Sequence, residues 1–329
     1  MKSIANQPAL KIGVLLAYVV LYLMASPVQA GQSREATAAS YLERGVSFVK
    51  KGEIEMAIAD FGIALQFDPN SAAAYSNRAD LYYRKGDYQK ALADLDRAIE
   101  INPRLPEAYT NRGAVCFRLR DLDASIRDHS RALELNPRLS AAYHNRGVAK
   151  HEKGDMDGAL ADFDQALKLN RRSAETFCHR AMTRIYKADW DGAIRDASQA
   201  IKLKPDFAEA YVARGASRQL KGDMQEALPD LNRAIVLDPK CADAYFNRAN
   251  SWRAAGNLDR AIEDYGLVTE LNPQKADAWA RRGLLHLQKG EEAAAQRDFS
   301  KFRGLDTARA KTLEEEIQAI RRSRVAGQP

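Results

Sequence analysis

Residues 140–173 read SAAYHNRGVAKHEKGDMDGALADFDQALKLNRRS, and related stretches of the same length lie on both sides. Tyr143, Arg146 and Gly147 of this stretch have counterparts along the chain at an unbroken interval of 34 residues. An Arg directly precedes every small residue of the series, and an aromatic residue lies four positions before it. A fixed period of this kind predicts stacked copies of one small unit rather than a single globular core. The small residues are Gly45, Ala79, Gly113, Gly147, Ala181, Gly215, Ala249 and Gly283.

Each 34-residue unit is predicted to form two helices, A and B, joined by a turn. With residue 140 as position 1, Gly occupies position 15 in six copies, at Gly52, Gly86, Gly154, Gly222, Gly256 and Gly290. The next position holds a helix N-cap residue in the six middle copies, at Asp87, Asp121, Asp155, Asp189, Asp223 and Asn257. Small residues at positions 8, 20 and 27 let the two helices approach closely. Pro at position 32 ends helix B in six copies, because Pro lacks the donor that a continuing helix needs.

This pattern resembles the tetratricopeptide repeat, in the subset with Asn-Arg-Gly at positions 6–8 and Asp at position 23. The resemblance implies an all-α fold, a right-handed α-α superhelix (solenoid) of eight helix pairs plus a C-terminal capping helix. It also implies that helix A lines a concave groove. The predicted repeats cover residues 38–71, 72–105, 106–139, 140–173, 174–207, 208–241, 242–275 and 276–309.

Some copies depart from the pattern. Arg171 replaces the Pro that closes the other middle repeats, which predicts a less sharply broken junction after repeat four. Pro229 falls inside helix B of repeat six and is predicted to bend it. Residues 307–322 form an amphipathic pattern that predicts a helix capping the last repeat, as solenoid ends require. Residues 323–329 are predicted to be a disordered tail.

The first 30 residues lie outside the repeat and resemble a signal peptide. Lys2 and Lys11 precede an apolar run of about 14 residues, which is shorter than the roughly 20 that a spanning helix needs. Cleavage after Ala30 would leave a short leader, residues 31–37. The predicted location is therefore exported, periplasmic or secreted. The alternative is an inner-membrane anchor formed by residues 12–25 that is not cleaved.

Position 7 is Arg and position 23 is Asp in all eight copies. We interpret them as structural ion pairs, one per repeat, because the Arg fork matches a carboxylate and position 7 faces helix B in the family that this chain resembles. The alternative is a ladder of charges for a ligand. Representative predicted pairs are Arg78 with Asp94, Arg112 with Asp128, and Arg146 with Asp162.

The family's groove is lined by positions 2, 5, 6, 9, 12 and 13 of helix A. Position 6 is Asn in four copies, and an amide can both donate to and accept from an extended peptide backbone. The alternative is that Asn merely belongs to this repeat subtype. The candidate groove residues are Asn77, Asn111, Asn145, His179 and Asn247 at position 6, Tyr83, Phe117, His151 and Arg253 at position 12, and His144 and Phe246 at position 5.

No catalytic or phosphate-binding motif stands in a fitting context, so the chain is predicted not to be an enzyme and to need no cofactor. No metal site is predicted, because His144 and His151 lie seven residues apart on one helix, roughly 10 Å along its axis. The net charge of +6 comes from mixed signs, which predicts no nucleic-acid partner. The predicted function is a scaffold that binds an extended peptide or partner protein in the groove. The alternative is a glycan-binding or enzyme-like envelope protein that uses the same groove.

Overall fold

The computed structural model describes residues 34–326, with side chains to residue 323. The predicted signal peptide lies outside these residues. The described part contains 17 helices and no strand, and none of these helices has the length and apolar character needed to cross a bilayer. The fold is therefore the all-α array of helix pairs that the repeat predicts. It divides into two compact units at residue 135.

In the first unit, six helices form three pairs, each made of helix A and helix B of one repeat. The contacts run from each helix B to the next helix A, and also between α3 and α5. The helices are α1 (Arg34–Lys51), α2 (Ile54–Phe67), α3 (Ala72–Lys85), α4 (Tyr88–Ile101), α5 (Pro106–Arg118) and α6 (Leu122–Leu135). Helix α1 thus begins within the predicted leader, at residue 34.

In the second unit, five helix pairs are followed by one more helix. Successive A helices contact one another from α7 to α13, and α17 contacts α15. The pairs are α7 (Ser140–Lys153) with α8 (Met156–Leu169), α9 (Ala174–Tyr186) with α10 (Trp190–Leu203), α11 (Ala208–Lys221) with α12 (Met224–Leu237), α13 (Ala242–Ala254) with α14 (Leu258–Leu271), and α15 (Ala276–Gln288) with α16 (Glu292–Leu305). The last helix is α17 (Ala310–Ala326).

Helices A and B of one repeat touch where a small residue at position 8 faces position 24. A Cβ atom built on Gly147 would lie 2.7 Å from Cε1 of Phe163, which is fully buried. The backbone of α7 therefore rests directly on the ring. In repeat five the same two positions are Ala181 and Ala197, both fully buried. Relative to repeat four, the larger residue at position 8 is therefore matched by a smaller one at position 24.

The turn between the two helices requires a left-handed backbone at position 15. All six Gly residues at that position have φ between +77° and +102°. Repeats three and five lack Gly there, yet Arg120 (φ +67°) and Ala188 (φ +56°) take the same conformation. The turn geometry is thus imposed by the packing of the two helices, at a steric cost where the residue has a Cβ.

The predicted N-caps position the start of helix B, although two of them make no capping bond. Four of the six predicted N-caps accept a hydrogen bond from the backbone N–H three residues on, at 2.9–3.2 Å: Asp121, Asp155, Asp189 and Asn257. Asp87 and Asp223 make no such bond. The carboxylate of Asp87 contacts Lys90 Nζ at 3.3 Å instead.

The prediction of a weaker junction after repeat four is wrong. Helix α8 ends at Leu169, in register with the other B helices, although Arg171 replaces Pro. The reason is a second stop signal at position 31, where Asn170 Oδ1 accepts from the backbone N–H of Arg172 at 3.1 Å. The same side-chain turn closes five other B helices, at Asp68, Asn102, Asn136, Asp238 and Asn272.

Pro229 does not interrupt its helix, since α12 runs from Met224 to Leu237 through it. Both Pro229 and Gln225, whose carbonyl loses its usual donor, are exposed, so water can satisfy that carbonyl.

The C-terminal helix covers the end of the last repeat. Leu313 and Ile317 of α17 are buried against Phe299 and Phe302 of α16. The helix begins at Ala310, three residues later than predicted, because Asp306 forms a turn with the backbone N–H of Arg309. The prediction of a disordered tail is wrong for residues 323–326, which continue α17. There the Ser323 hydroxyl donates to the carbonyl of Ile320.

Candidate partner-binding surface

Every repeat contains the Arg–Asp pair between helix A and helix B. In each of the eight pairs, Nε and Nη2 of Arg donate to the two carboxylate oxygens at 2.6–2.9 Å. The Asp residues are buried, with 3–7% of their surface exposed. Burial without a partner would be costly for a carboxylate, and the bidentate geometry supplies that partner. These charges are therefore part of the repeat's interior.

The same Arg residues also connect neighbouring repeats. The remaining nitrogen of Arg180, Nη1, donates to Asp164 Oδ1 of the preceding helix B at 2.6 Å. Arg112 reaches Asp96 at 2.8 Å and Arg248 reaches Asn232 at 2.8 Å in the same way. Each of the eight guanidinium groups lies 4.7–5.7 Å from the ring centroid of its own position-4 aromatic residue. Position 7 is thus used in all eight copies to hold the two helices of a repeat together, which supports the interpretation of structural ion pairs.

The number of cations around the buried Asp differs between repeats. Asp162 also contacts Lys150 Nζ at 2.8 Å, so it has two cationic partners. Position 11 supplies the same second cation to Asp196 and Asp230, from Arg184 and Arg218. In repeat seven, position 11 is Trp252, and Arg248 is the only described cation that pairs with Asp264.

We use "helix-A face" for the surface that the A helices present at positions 2, 5, 6, 9, 12 and 13. In the first unit, the candidates Asn77 and Asn111 lie on α3 and α5 and are half-buried. Their side-chain amides make no hydrogen bond with a described residue. Tyr83 packs against Tyr88 with ring centroids 5.7 Å apart, and Phe117 is half-buried at the end of α5.

In the second unit, two His residues of α7 are bound to Thr residues of α9. His144 Nδ1 lies 2.8 Å from Thr176 Oγ1, and His151 Nδ1 lies 2.9 Å from Thr183 Oγ1. The Thr183 hydroxyl already donates to the carbonyl of His179, so it accepts from His151, whose proton is therefore on Nδ1. Both Thr partners are buried, and neither is among the residues predicted from the sequence.

Burial keeps the first of these His residues neutral. Desolvation, followed by the charge of His179, lowers the pKa of His144 to about 4. Burial also lowers the pKa of His151. The rings of His144 and His179 meet edge to face, with centroids 5.1 Å apart. These residues form a packed aromatic patch, and the described residues contain no group of three metal-ligating side chains.

The other candidates of the second unit differ in how free their polar atoms are. Asn145 makes no side-chain hydrogen bond with a described residue. Asn247 Nδ2 donates to the carbonyl of Asp243 at 2.9 Å, and His179 Nδ1 donates to the carbonyl of Glu175 at 2.9 Å. Phe246 lies between two cations, with Lys275 Nζ at 4.4 Å and Arg281 Cζ at 5.3 Å from its ring centroid.

Three large apolar side chains of the helix-A face are exposed to solvent in repeats five and six. Met182 is 40% exposed, Tyr186 71% and Leu220 50%. They occupy positions 9, 13 and 13, which the family's groove uses, but none of them is among the residues predicted from the sequence. His151 packs on Tyr186 with ring centroids 5.1 Å apart, which extends the apolar surface toward α7. Exposed large apolar side chains at groove positions of two successive repeats are typical of an interaction site.

Burial keeps two of the three Cys residues in the thiol form. All three are free, and Cys116 and Cys178 are buried. Burial raises the pKa of Cys116 to about 11 and that of Cys178 to about 12, so both remain thiols at neutral pH.

Family models agree with the geometry. Models described as TPR repeat match residues 45–86 and 79–119, and models described as tetratricopeptide repeat match residues 106–139, 140–173, 180–238 and 217–269. Together they span more than half of the chain. The chain therefore belongs to the tetratricopeptide repeat family. None of the curated proteins gives a significant match.

Several solved structures resemble the fold. A tetratricopeptide repeat protein from Parabacteroides merdae is 21% identical with a TM-score of 0.60, over 76% of this chain and 98% of its own. PilF of Pseudomonas aeruginosa is 18% identical with a TM-score of 0.59, over 67% and 100%. The APC/C hetero-tetramer Cut9–Hcn1 is 15% identical with a TM-score of 0.67, over 93% and 59%. At these identities the similarity establishes the fold alone.

Proposed function

We propose that this protein is a non-enzymatic scaffold that binds an extended segment of a partner protein along its helix-A face. The observation that carries the proposal is the exposed apolar surface of Met182, Tyr186 and Leu220, on the A helices of repeats five and six. The recurring Arg and Asp residues cannot carry binding, because they pair inside each repeat. The helix-A face is therefore left with the side chains that differ between copies, among them apolar groups and amides that match a peptide.

Two kinds of contact support an extended segment. Apolar side chains of the partner would cover Tyr186 and Leu220, and each large side chain that is buried contributes roughly 1.5–3 kcal/mol. The free amide of Asn145 can donate to and accept from a peptide backbone, whatever the side chains of the peptide. A pre-formed surface on packed helices requires little rearrangement on binding, which favours affinity.

The test is site-specific photocross-linking with the full chain in its own cells. A photoreactive residue at Leu220 should capture a protein, and one at Val236, which is 69% exposed on helix B of the same repeat, should not. Capture from position 220 should be lost when Tyr186→Ser is added. Equal capture from both positions, or capture of glycans alone, would overturn the proposal, and glycans alone would favour the alternative of a glycan-binding protein.

We also propose that the chain is exported, because a basic start, an apolar run of about 14 residues and a small-residue cleavage site stand in residues 1–30. Sequencing the N-terminus of the protein isolated from cells tests this. A mature chain that begins at Gly31 is the expected result, and a chain that retains residues 12–25 in the membrane fraction indicates an anchor instead.

A further inference from the structure

A cleft lies on the helix-A face at the C-terminal end of the second unit, between α13, α15 and α17. Its volume is about 290 Å³, and an adjoining cleft of about 270 Å³ has four lining residues in common with it. These shared residues are Arg253, Arg281, Leu284 and Glu316. The first three occupy positions 12, 6 and 9 of their repeats, which are groove positions, and Glu316 belongs to α17.

The two guanidinium groups of this cleft differ from those inside the repeats. Every position-7 Arg has a buried carboxylate, whereas neither Arg253 nor Arg281 forms an ion pair with a described residue. Arg281 is nevertheless held in place. Its Nη1 donates to Asn250 Oδ1 at 3.0 Å, and the same oxygen accepts from the buried hydroxyl of Tyr265 at 2.5 Å. Arg281 also lies over the ring of Phe246.

The carboxylates around the cleft do not neutralise these cations. Asp277 is paired with Arg309 at 2.7 Å, so it is already compensated. Glu316 is exposed to solvent on α17 and forms no ion pair with a described residue. The cleft therefore holds a positioned guanidinium with unused donors, a second Arg beside it, and an apolar wall that includes Leu284.

We propose that this cleft binds the carboxylate side chain of an Asp or Glu in the partner segment, with Arg281 and Arg253 as donors and an adjacent apolar side chain on Leu284. The inference rests on the proposed function and names the chemistry of one of its subsites. The planar fork of Arg matches a carboxylate in a bidentate way. Glu316, which has no cationic partner among the described residues, disfavours a phosphate dianion in the same place, because the second charge of the phosphate would add to like-charge repulsion.

The experiment selects peptides on the full chain from a display library of random 12-residue segments. The segments are fused ahead of a carrier, so that no free C-terminal carboxylate is presented. Selection should enrich Asp or Glu next to a large apolar residue. The strongest segment is then synthesised with both ends capped, as the selected sequence and with its acid replaced by the matching amide.

Affinity should fall about tenfold or more when the acid of the peptide is replaced, and by a similar factor in the Arg253→Gln, Arg281→Gln double variant. The two changes together should cost little more than either alone. Glu316→Gln should strengthen binding a few-fold by removing a like charge. Arg297→Gln is the matched control, since Arg297 is exposed on α16 away from the cleft, and it should leave the affinity unchanged.

Selected peptides without an enriched acid would overturn the carboxylate subsite and leave the scaffold function standing. Acidic peptides that bind the double variant as tightly as the wild type would do the same. Tighter binding of the corresponding phosphoserine peptide would replace the carboxylate with a phosphate. Failure to select any peptide would overturn the scaffold function together with the subsite.

Discussion

The interior between helices A and B and the helix-A face follow opposite rules. In the interior, Arg at position 7 and Asp at position 23 are identical in all eight copies, and their hydrogen-bond distances range only from 2.6 to 2.9 Å. On the helix-A face, position 12 changes from Tyr83 to His151 to Arg253. The repeated residues stabilise the stack and are paired inside it. The residues that differ between copies are the ones left to recognise another molecule.

The largest effect is expected from removing the cation of a buried Asp that has a single cationic partner. Arg248→Met leaves Asp264, 4% exposed, without a described cation and should cost about 3–5 kcal/mol. Arg146→Met should cost clearly less, because Lys150 still contacts Asp162 at 2.8 Å. Urea unfolding, with hydrogen exchange in α14 and α8 as local probes, measures both. Equal losses would show that the second cation does not compensate.

Acidification should weaken the packing of the helix-A face around His144. The folded pKa of His144, about 4, is below its unfolded value of about 6.5, so the unfolded chain binds the proton first. The free energy of unfolding should therefore fall between pH 6.5 and pH 4, by up to about 3 kcal/mol from this group. His144→Gln should make the fall shallower. Identical pH profiles of the variant and the wild type would contradict the assignment.

A smaller loss is expected from filling the contact between helices of one repeat. Gly147→Leu should cost about 1–3 kcal/mol, because even the first carbon would lie 2.7 Å from the Phe163 ring. Gly62→Ala is the matched control, since its new carbon would meet only Arg78 Nη1 at 3.7 Å. Thermal unfolding followed by circular dichroism should separate the two. An unchanged midpoint for Gly147→Leu would mean that α7 does not rest on that ring.

The smallest effect concerns the turns. Ala188→Gly should stabilise the chain by about 0.5–1 kcal/mol, since relief of a left-handed Ala outweighs the added freedom of Gly. Gly154→Ala should have the opposite sign at the equivalent position of repeat four. Chemical denaturation of both variants measures this. A loss of stability for Ala188→Gly would indicate that the turn is not strained.

The repeat period predicted the helix pairs because each copy repeats the same physical signals. Helix B ends at the same position in every repeat, including the fourth, where Arg171 stands in place of Pro. The residue that ends this helix is Asn170, since Asn and Asp after a helix form side-chain turns, whereas our prediction considered only Pro. Ala188 could not be predicted to have a positive φ from its own identity, because only its register beside the Gly residues reveals that conformation.

The candidate surface was less predictable, because it depends on which side chains remain free after packing. Asn145 and Asn247 look alike in sequence, yet only the second bonds to its own helix. Arg253 was among our candidates and Arg281 was not, although Arg281 stands at position 6, where four other copies have Asn. This replacement of Asn by Arg at position 6 was the one indication in the sequence that Arg281 belongs to the candidate surface. That Arg281 lacks a carboxylate depends on distances between helices, which a sequence does not contain.

The place of α17 has a consequence for how such a chain can change length. Its first residue, Ala310, follows Ala276 of α15 by 34 positions, so in the sequence this helix begins where a ninth helix A would begin. A duplicated 34-residue block inserted just ahead of it would meet the same neighbour on each side. A gene for such a chain can therefore gain or lose whole 34-residue repeats and keep the same C-terminal helix.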